Sequence, residues 1–150
     1  MAVMTAGARL EERWREILSV HARTMCEIDR ALHPYGLGAS DFEVLDLLVT
    51  EGPEEGAQCR VQNMVGRVHL SQSALSRLIA RLEKDGLVER TMCAEDRRGV
   101  YVALTRGGRH LHAEVLPLQR AVLARMLGDD ETAPDSAPPS GPAGCARRPM

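Results

Sequence analysis

The sequence has very few aromatic residues, no long apolar run and no closely spaced pair of cysteines. Only 3% of its 150 residues are aromatic. A core must therefore be built mainly from Leu, Val, Ile, Met and Ala, which favours helices over a β-sandwich. No stretch approaches the roughly 18 apolar residues of a transmembrane helix, and the N-terminus lacks the apolar segment of a secretory signal. We therefore expect a cytoplasmic protein with no membrane partner.

Four cysteines are widely spaced along the chain, at Cys26, Cys59, Cys93 and Cys145. In an intracellular protein this spacing predicts free thiols. The five histidines do not cluster with the cysteines, so the sequence predicts no metal site and no cofactor. It also lacks a glycine-rich phosphate loop and a nucleophile paired with a base, so we predict no catalytic residue and do not expect an enzyme.

Charge is distributed unevenly, although the net charge of the chain is only −2. Between Arg67 and Arg109 there are nine basic and five acidic residues, which gives this window a charge of +4 and leaves −6 for the rest. A locally basic segment in an acidic chain is typical of a surface that attracts nucleic acid.

Apolar residues alternately three and four positions apart predict two long helices, over residues 8–33 and 106–127. Thr105 is expected to cap the second helix, and Pro117 is expected to kink it. We predict that both helices form a dimer interface, through Leu10, Trp14, Ile17, Leu111, Val115, Leu118 and Val122. The proline-rich residues 128–150 offer almost nothing to bury, so we predict a disordered tail.

Residues 40–105 between these helices contain the signals of a second unit. Ser40 and Glu43 suggest a capping box for a helix that begins at Asp41, and a short helix is expected within residues 59–68. Ser71 is expected to cap a further helix that Gly86 ends. Strand-like residues 87–92 and 100–105 then flank a charged loop, which predicts a β-hairpin.

The helix after Ser71 buries one apolar face and leaves a plain outer face of small, hydroxylated and cationic side chains. Two helices joined by a short turn and followed by a hairpin form a winged helix-turn-helix, whose second helix enters the DNA major groove. Small side chains allow a close approach, glutamine can serve adenine, and arginine can bind guanine or phosphate. The predicted recognition residues are Ser71, Gln72, Ser73, Ser76, Arg77 and Arg81. A solvated helix face would look similar, so the helix alone leaves both interpretations open.

The hairpin loop favours the DNA-binding interpretation. Arg97 and Arg98 lie at its tip, where a cation can enter a narrow minor groove with a strong negative potential. Asp96 is expected to orient a neighbouring arginine by a salt bridge. We therefore predict that Asp96, Arg97 and Arg98 form the wing contacts with DNA.

Three segments in order, "LSQSALSRLIARLEKDGLVER", "DRRG" and "YVALTRGGR", resemble the MarR family of bacterial transcriptional regulators. The resemblance extends over roughly residues 10–127. It implies a mainly α fold with a small β-hairpin wing, in which N- and C-terminal helices form a homodimer that binds a palindromic operator. Carried over by position, Ser71 to Arg81 would read bases, and Asp96 and Arg97 would form the wing pair.

Three functional hypotheses remain open from the sequence. The first is a repressor released by a small-molecule effector, since members of the family often bind anionic or phenolic compounds, although no residue here identifies a ligand. The second is a thiol-based redox-sensing repressor acting through Cys26, whose flanking sequence does not match the peroxide-sensing branch of the family. The third is a winged helix that serves protein–protein contact only, which would not need the cationic wing tip.

Overall fold

The computed structural model describes residues 5–52, 54, 56–92 and 99–128, and these form a mainly helical fold with a small antiparallel sheet. The helices are α1 (Ala6–Leu32), α2 (Ala39–Glu51), α3 (Val61–Val65), α4 (Gln72–Lys84) and α5 (Arg106–Leu127). The strands are β1 (Gln58–Arg60), β2 (Val88–Met92) and β3 (Val100–Leu104). A single 3-10 turn, His33–Tyr35, separates α1 from α2 within the described residues.

Only the C-terminal half of helix α1 packs against the rest of the chain. The backbone N–H of Ala8 donates to the Thr5 hydroxyl and caps its start. In the C-terminal half of the helix, Ile28 and Leu32 are buried in the core, whereas the side chains of the N-terminal half are exposed. One continuous apolar seam therefore packs against its own chain at one end and faces outward at the other.

Helix α2 begins two residues earlier than the sequence predicted, because a different pair of residues caps it. The Asp41 carboxylate accepts a hydrogen bond from the backbone N–H of Gly38 at 2.8 Å. The expected capping box of Ser40 and Glu43 is therefore wrong. Asp41 is buried rather than marking the first helical position, and the helix starts at Ala39.

The sheet has the strand order β1-β3-β2 with antiparallel pairing throughout. The short helix expected within residues 59–68 is confirmed as Val61–Val65. Strand β1, which precedes it, was not predicted, and its Cys59 pairs with Val102. The predicted hairpin is confirmed by the pairing of β2 with β3, whose register runs from Val88↔Leu104 to Met92↔Val100.

Local signals at both ends of α4 are confirmed. The Ser71 hydroxyl accepts from the Ala74 N–H at 3.1 Å. At the other end Gly86 has φ +75°, a left-handed conformation that favours glycine. The N–H groups of Gly86 and Leu87 bond back to the carbonyls of Glu83 and Leu82, which is a Schellman motif.

Helix α5 has the predicted bounds and continues through Pro117. Its Thr105 cap is confirmed by the bond from the Gly108 N–H to the Thr105 hydroxyl at 3.0 Å. The same hydroxyl donates to the Gly86 carbonyl at 2.6 Å, and the Thr105 N–H donates to the Leu87 carbonyl at 3.1 Å. These bonds join the end of α4 to the start of α5.

One apolar core connects α2, α4, the sheet and the inner faces of α1 and α5. His112 of α5 lies within it, stacks on Phe42 with ring centroids 5.4 Å apart, and makes a 2.8 Å hydrogen bond with Asp46 of α2.

Val115 and Val122 of α5 are buried in this same core, at 0% and 2% exposure. Their predicted place in a dimer interface is therefore wrong, since they have no surface to offer a second copy. Within residues 5–52, 54, 56–92 and 99–128, every helix is too short or too polar to span a bilayer.

Candidate nucleic-acid interface

The outer face of α4 is exposed, while all four of its large inner apolar side chains are buried. The exposed set contains every recognition residue that the sequence predicted, namely Ser71, Gln72, Ser73, Ser76, Arg77 and Arg81. Ser71 is less available than the others because its hydroxyl caps the helix. The face is therefore open to an approaching partner, and its small side chains do not obstruct that approach.

One side of this face borders a shallow groove of about 160 Å³ between α3, α4 and the sheet. Its polar lining includes Gln62 of α3, Gln72 and Ser76 of α4, and Arg90 of β2. Gln62 was missed from the sequence, because its neighbourhood with Gln72 depends on how α3 packs against α4. The groove brings two amides, a hydroxyl and a guanidinium together beside the recognition helix.

The two arginines of α4 have different surroundings. Arg81 forms an ion pair with the buried Asp41 of α2, so part of its guanidinium faces the protein. Arg77 is exposed and makes no ion pair with any other residue that the structure describes. Among the predicted recognition residues, Arg77 is thus the cation best placed to bind an external partner.

Strand β2 is tied to α4 by a bidentate contact. Arg90 donates from Nη2 and Nε to the Glu83 Oε1 at 2.8 and 3.1 Å, and its backbone N–H donates to Oε2 at 3.2 Å. The side-chain hydrogen bond from Arg90, followed by the backbone one, lowers the pKa of Glu83, and the same contact raises the pKa of Arg90. This pair fixes the base of the wing against the recognition helix.

The predicted wing contacts Asp96, Arg97 and Arg98 lie outside the described residues. Both strands that lead to them are described, and their paired ends, Met92 and Val100, are exposed. The hairpin therefore begins beside α4, from a base that Glu83 and Arg90 hold in place.

The turn before α4 is anchored to the end of α2. Arg67 forms an ion pair with Glu51 at the end of α2, and His69 adopts the left-handed conformation with φ +53°.

Cys59 is a free thiol close to the Arg67–Glu51 pair, and burial, followed by the charge of Glu51, raises its pKa. A raised pKa lowers the thiolate fraction and with it the reactivity of Cys59.

Cys26 departs from the expectation of four free thiols. It is disulfide-bonded, so the prediction of a free thiol at this position is wrong. Cys93 and Cys145 lie outside the described residues. No group of three His, Cys, Asp or Glu side chains within residues 5–52, 54, 56–92 and 99–128 is placed to hold a metal ion.

The N-terminal half of α1 presents an apolar surface. Leu10, Trp14 and Ile17 are 69%, 58% and 52% exposed, and Leu18 and Leu127 are exposed nearby. Leu111 and Leu118 of α5 are half-buried and pack against the core. The predicted interface residues of α1 thus lie at the surface, whereas those of α5 mostly serve the chain's own core.

A second groove, of about 640 Å³, lies between α1 and the C-terminal part of α5. Its lining is mainly apolar, and its polar members are Arg13, Glu16, His21, Thr24 and Glu43.

A family model and a solved structure both match this chain to the MarR family. The model of the MarR family matches residues 39–100. The crystal structure of AbsC, a MarR family transcriptional regulator from Streptomyces coelicolor, is 30% identical with a TM-score of 0.72, over 89% of this chain and 86% of that one. This chain belongs to the MarR family. It is therefore a DNA-binding transcriptional regulator of the winged helix-turn-helix type.

Two further relatives of this MarR-family chain support the assignment to DNA-binding transcriptional regulators. Sco3205, a MarR family regulator from Streptomyces coelicolor solved in complex with DNA, is 26% identical with a TM-score of 0.71, over 88% of this chain and 80% of that one. YkoM from Bacillus subtilis, an uncharacterised HTH-type transcriptional regulator, is 28% identical over 120 residues, which are 77% of this chain and 75% of YkoM. Both relatives are named as transcriptional regulators.

Proposed function

We propose that this protein is a homodimeric repressor that binds a pseudo-palindromic operator through the outer face of α4. The observation that carries the proposal is the exposed cluster of Gln72, Ser76 and Arg77 on a helix whose four large apolar side chains are all buried. Amide and guanidinium groups are the side chains that pair with adenine and guanine edges in the major groove. The solved complex of the relative Sco3205 with DNA supports this use of the fold.

The exposed seam of α1 supports a second copy of the chain as partner. A surface that contains Leu10, Trp14 and Ile17 is costly to leave in water, since each exposed apolar side chain gains about 1.5–3 kcal/mol on full burial. The same seam continues into the core of the chain through Ile28 and Leu32, so helical packing against another α1 extends an existing interface. Two-fold symmetry would then present two copies of α4 to successive major grooves, about one helical turn apart.

In this arrangement the wing would contact the minor groove beside each α4. Asp96, Arg97 and Arg98 follow β2, whose base Arg90 and Glu83 hold against the recognition helix. A cation in the minor groove contributes affinity that depends weakly on sequence and strongly on salt. Base choice would therefore rest on α4 and general affinity on the wing.

We further propose that a small apolar or phenolic effector binds the groove between α1 and α5 and releases the operator. The groove is large enough for such a compound, and its lining is mainly apolar, with Arg13, Glu16 and Glu43 as its charged members. It touches the exposed helix α1 and Glu43 of α2, so a ligand there could change how the DNA-binding part sits against the dimer helices.

The test is selection of binding sites from random duplex DNA, followed by affinity measurements at several salt concentrations. We expect enrichment of a pseudo-palindrome that the wild type binds far more tightly than unrelated DNA, and a reporter gene behind that site should be repressed. If no sequence is enriched and DNA binding is absent at low salt, the alternative of a winged helix that serves only protein–protein contact replaces the proposal.

A further inference from the structure

Two aspartates from different helices hold the first turn of α2. The Asp41 Oδ2 accepts from the Gly38 N–H at 2.8 Å, and the Asp29 Oδ1 of α1 accepts from the Ala39 N–H at 2.7 Å. The first N–H groups of a helix have no partner within it and carry a partial positive charge, so both carboxylates are favourably placed. The start of α2 is thus bonded directly to α1.

Asp41 also reaches the recognition helix. Its second carboxylate oxygen, Oδ1, accepts from Nη2 of Arg81 in α4. The Asp41 side chain is only 4% exposed, whereas that of Arg81 is 47% exposed. A buried carboxylate is costly unless each oxygen has a partner, and here the two partners belong to two different elements. Asp41 therefore joins the start of α2, and through it α1, to α4.

We propose that Asp41 is a positioning residue that sets the orientation of α4 relative to α1, with Arg81 as its partner. The inference rests on the proposed function, because the orientation matters only if α1 pairs two copies of α4 on DNA. The chain of contacts runs from Asp29 of α1, through the Gly38–Ala39 backbone, to Asp41 and Arg81. It fixes the distance between the two recognition helices and hence the half-site spacing that the dimer prefers.

This role takes Arg81 out of the group of base-reading residues. A guanidinium has five N–H donors, so Arg81 could in principle hold a phosphate with those that Asp41 does not use. The two roles predict different results. A phosphate contact lowers the salt slope of binding by about one when it is lost, whereas a positioning contact leaves the slope unchanged and alters the preferred spacing.

The experiment compares Asp41→Asn, Arg81→Gln and the double variant in the full-length protein. Asparagine can still accept from the Gly38 N–H, but it turns an amide NH₂ toward Arg81 in place of an acceptor. Both single variants should weaken binding to the best operator by about tenfold, the loss expected for one hydrogen bond to a charged group. The double variant should be no weaker than either, and all three should keep the wild-type salt slope.

The spacing test uses operators whose half-sites are moved apart or together by one base pair. The variants should lose less affinity than the wild type when the spacing is changed, because α4 is no longer fixed. Arg77→Gln is the matched control, an arginine of the same helix without an ion pair among the described residues. Its effect should add to that of Asp41→Asn and should leave the preferred spacing unchanged.

Additive effects of Asp41→Asn and Arg81→Gln on DNA affinity, or an unchanged dependence on spacing, would overturn the positioning role. Denaturant unfolding of the wild type, the two single variants and the double variant shows whether any of them has lost its fold. If the two substitutions change the free energy of unfolding additively, that result also counts against the contact. If the wild type itself selects no DNA sequence, the proposed function fails instead. Specific wild-type binding combined with additive variants refutes only the positioning of α4.

Discussion

Gly108 of α5 lies directly against the backbone carbonyl of Leu87, the residue that follows the end of α4. A methyl group at Gly108 would overlap the Leu87 carbonyl oxygen and lie 2.9 Å from its carbonyl carbon and 3.1 Å from Leu104 Cδ2. Together with the Thr105 bonds to Gly86 and Leu87, this contact joins the recognition helix to α5. Only a residue without a side chain allows so close an approach.

We therefore predict that Gly108→Ala destabilises the protein by about 1–3 kcal/mol, the usual cost of overpacking. Gly107→Ala is the matched control, because a methyl group there meets only ordinary contacts of 3.7 and 3.8 Å. Alanine is the better helix former, so the control should stabilise by at most about 1 kcal/mol. Denaturant unfolding measures both, and equal effects of the two variants would contradict the close contact.

A second prediction concerns the exposed seam of α1. Trp14→Glu places a charge on the apolar surface that we assign to a second copy, so it should convert the dimer to a monomer and weaken operator binding. Met92→Glu is the control, since Met92 is 68% exposed and lies on strand β2 instead of α1. Sedimentation should show a dimer for the wild type and for the control. A wild type that sediments as a stable monomer would refute the proposed interface.

A third prediction concerns pH. Arg90 lowers the pKa of Glu83 in the folded protein, so the ionised carboxylate favours folding. This contribution is fully present above the pKa of an unfolded glutamate, about 4.3, and is lost as the pH falls through the lower folded value. Glu83→Gln should therefore be less stable than the wild type at neutral pH, and the difference should disappear in acid.

The control for this pH prediction is Glu89→Gln, an exposed carboxylate of β2 with no ion pair among the described residues. Its stability should follow that of the wild type across the same pH range. Denaturant unfolding at a series of pH values gives both curves. A constant difference between Glu83→Gln and the wild type down to acid pH would mean that the pair with Arg90 does not hold the wing base.

Elements defined by local signals were predictable from the sequence. Ser71 and Thr105 provide side-chain caps, and Gly86 provides a left-handed C-terminus, each from interactions within a few residues. The same is true of the exposed face of α4, since a 3.6-residue period separates inner from outer positions. These signals were sufficient to predict the recognition helix and the hairpin strands.

Features that depend on distant partners were not predictable. Strand β1 has three residues, and its only reason to be extended is pairing with β3 more than forty residues later. The pattern that made Arg81 a recognition residue could not show its partner Asp41, which lies 40 positions away. Nor could the apolar seam of α5 distinguish the chain's own core, where Val115 and Val122 lie, from the surface of a second copy.

The most direct test of sequence-specific recognition through α4 is the affinity of Arg77→Ala for the selected operator and its single-base variants. Lys84→Ala is the control, a cation at the C-terminal end of the same helix. Arg77→Ala should cost about 1–3 kcal/mol on the best site and relax the preference at one or two base pairs, whereas Lys84→Ala should leave base preference unchanged. If Arg77→Ala, Gln72→Ala and Ser76→Ala all keep the wild-type preference at every position, α4 does not read the operator and the account is wrong.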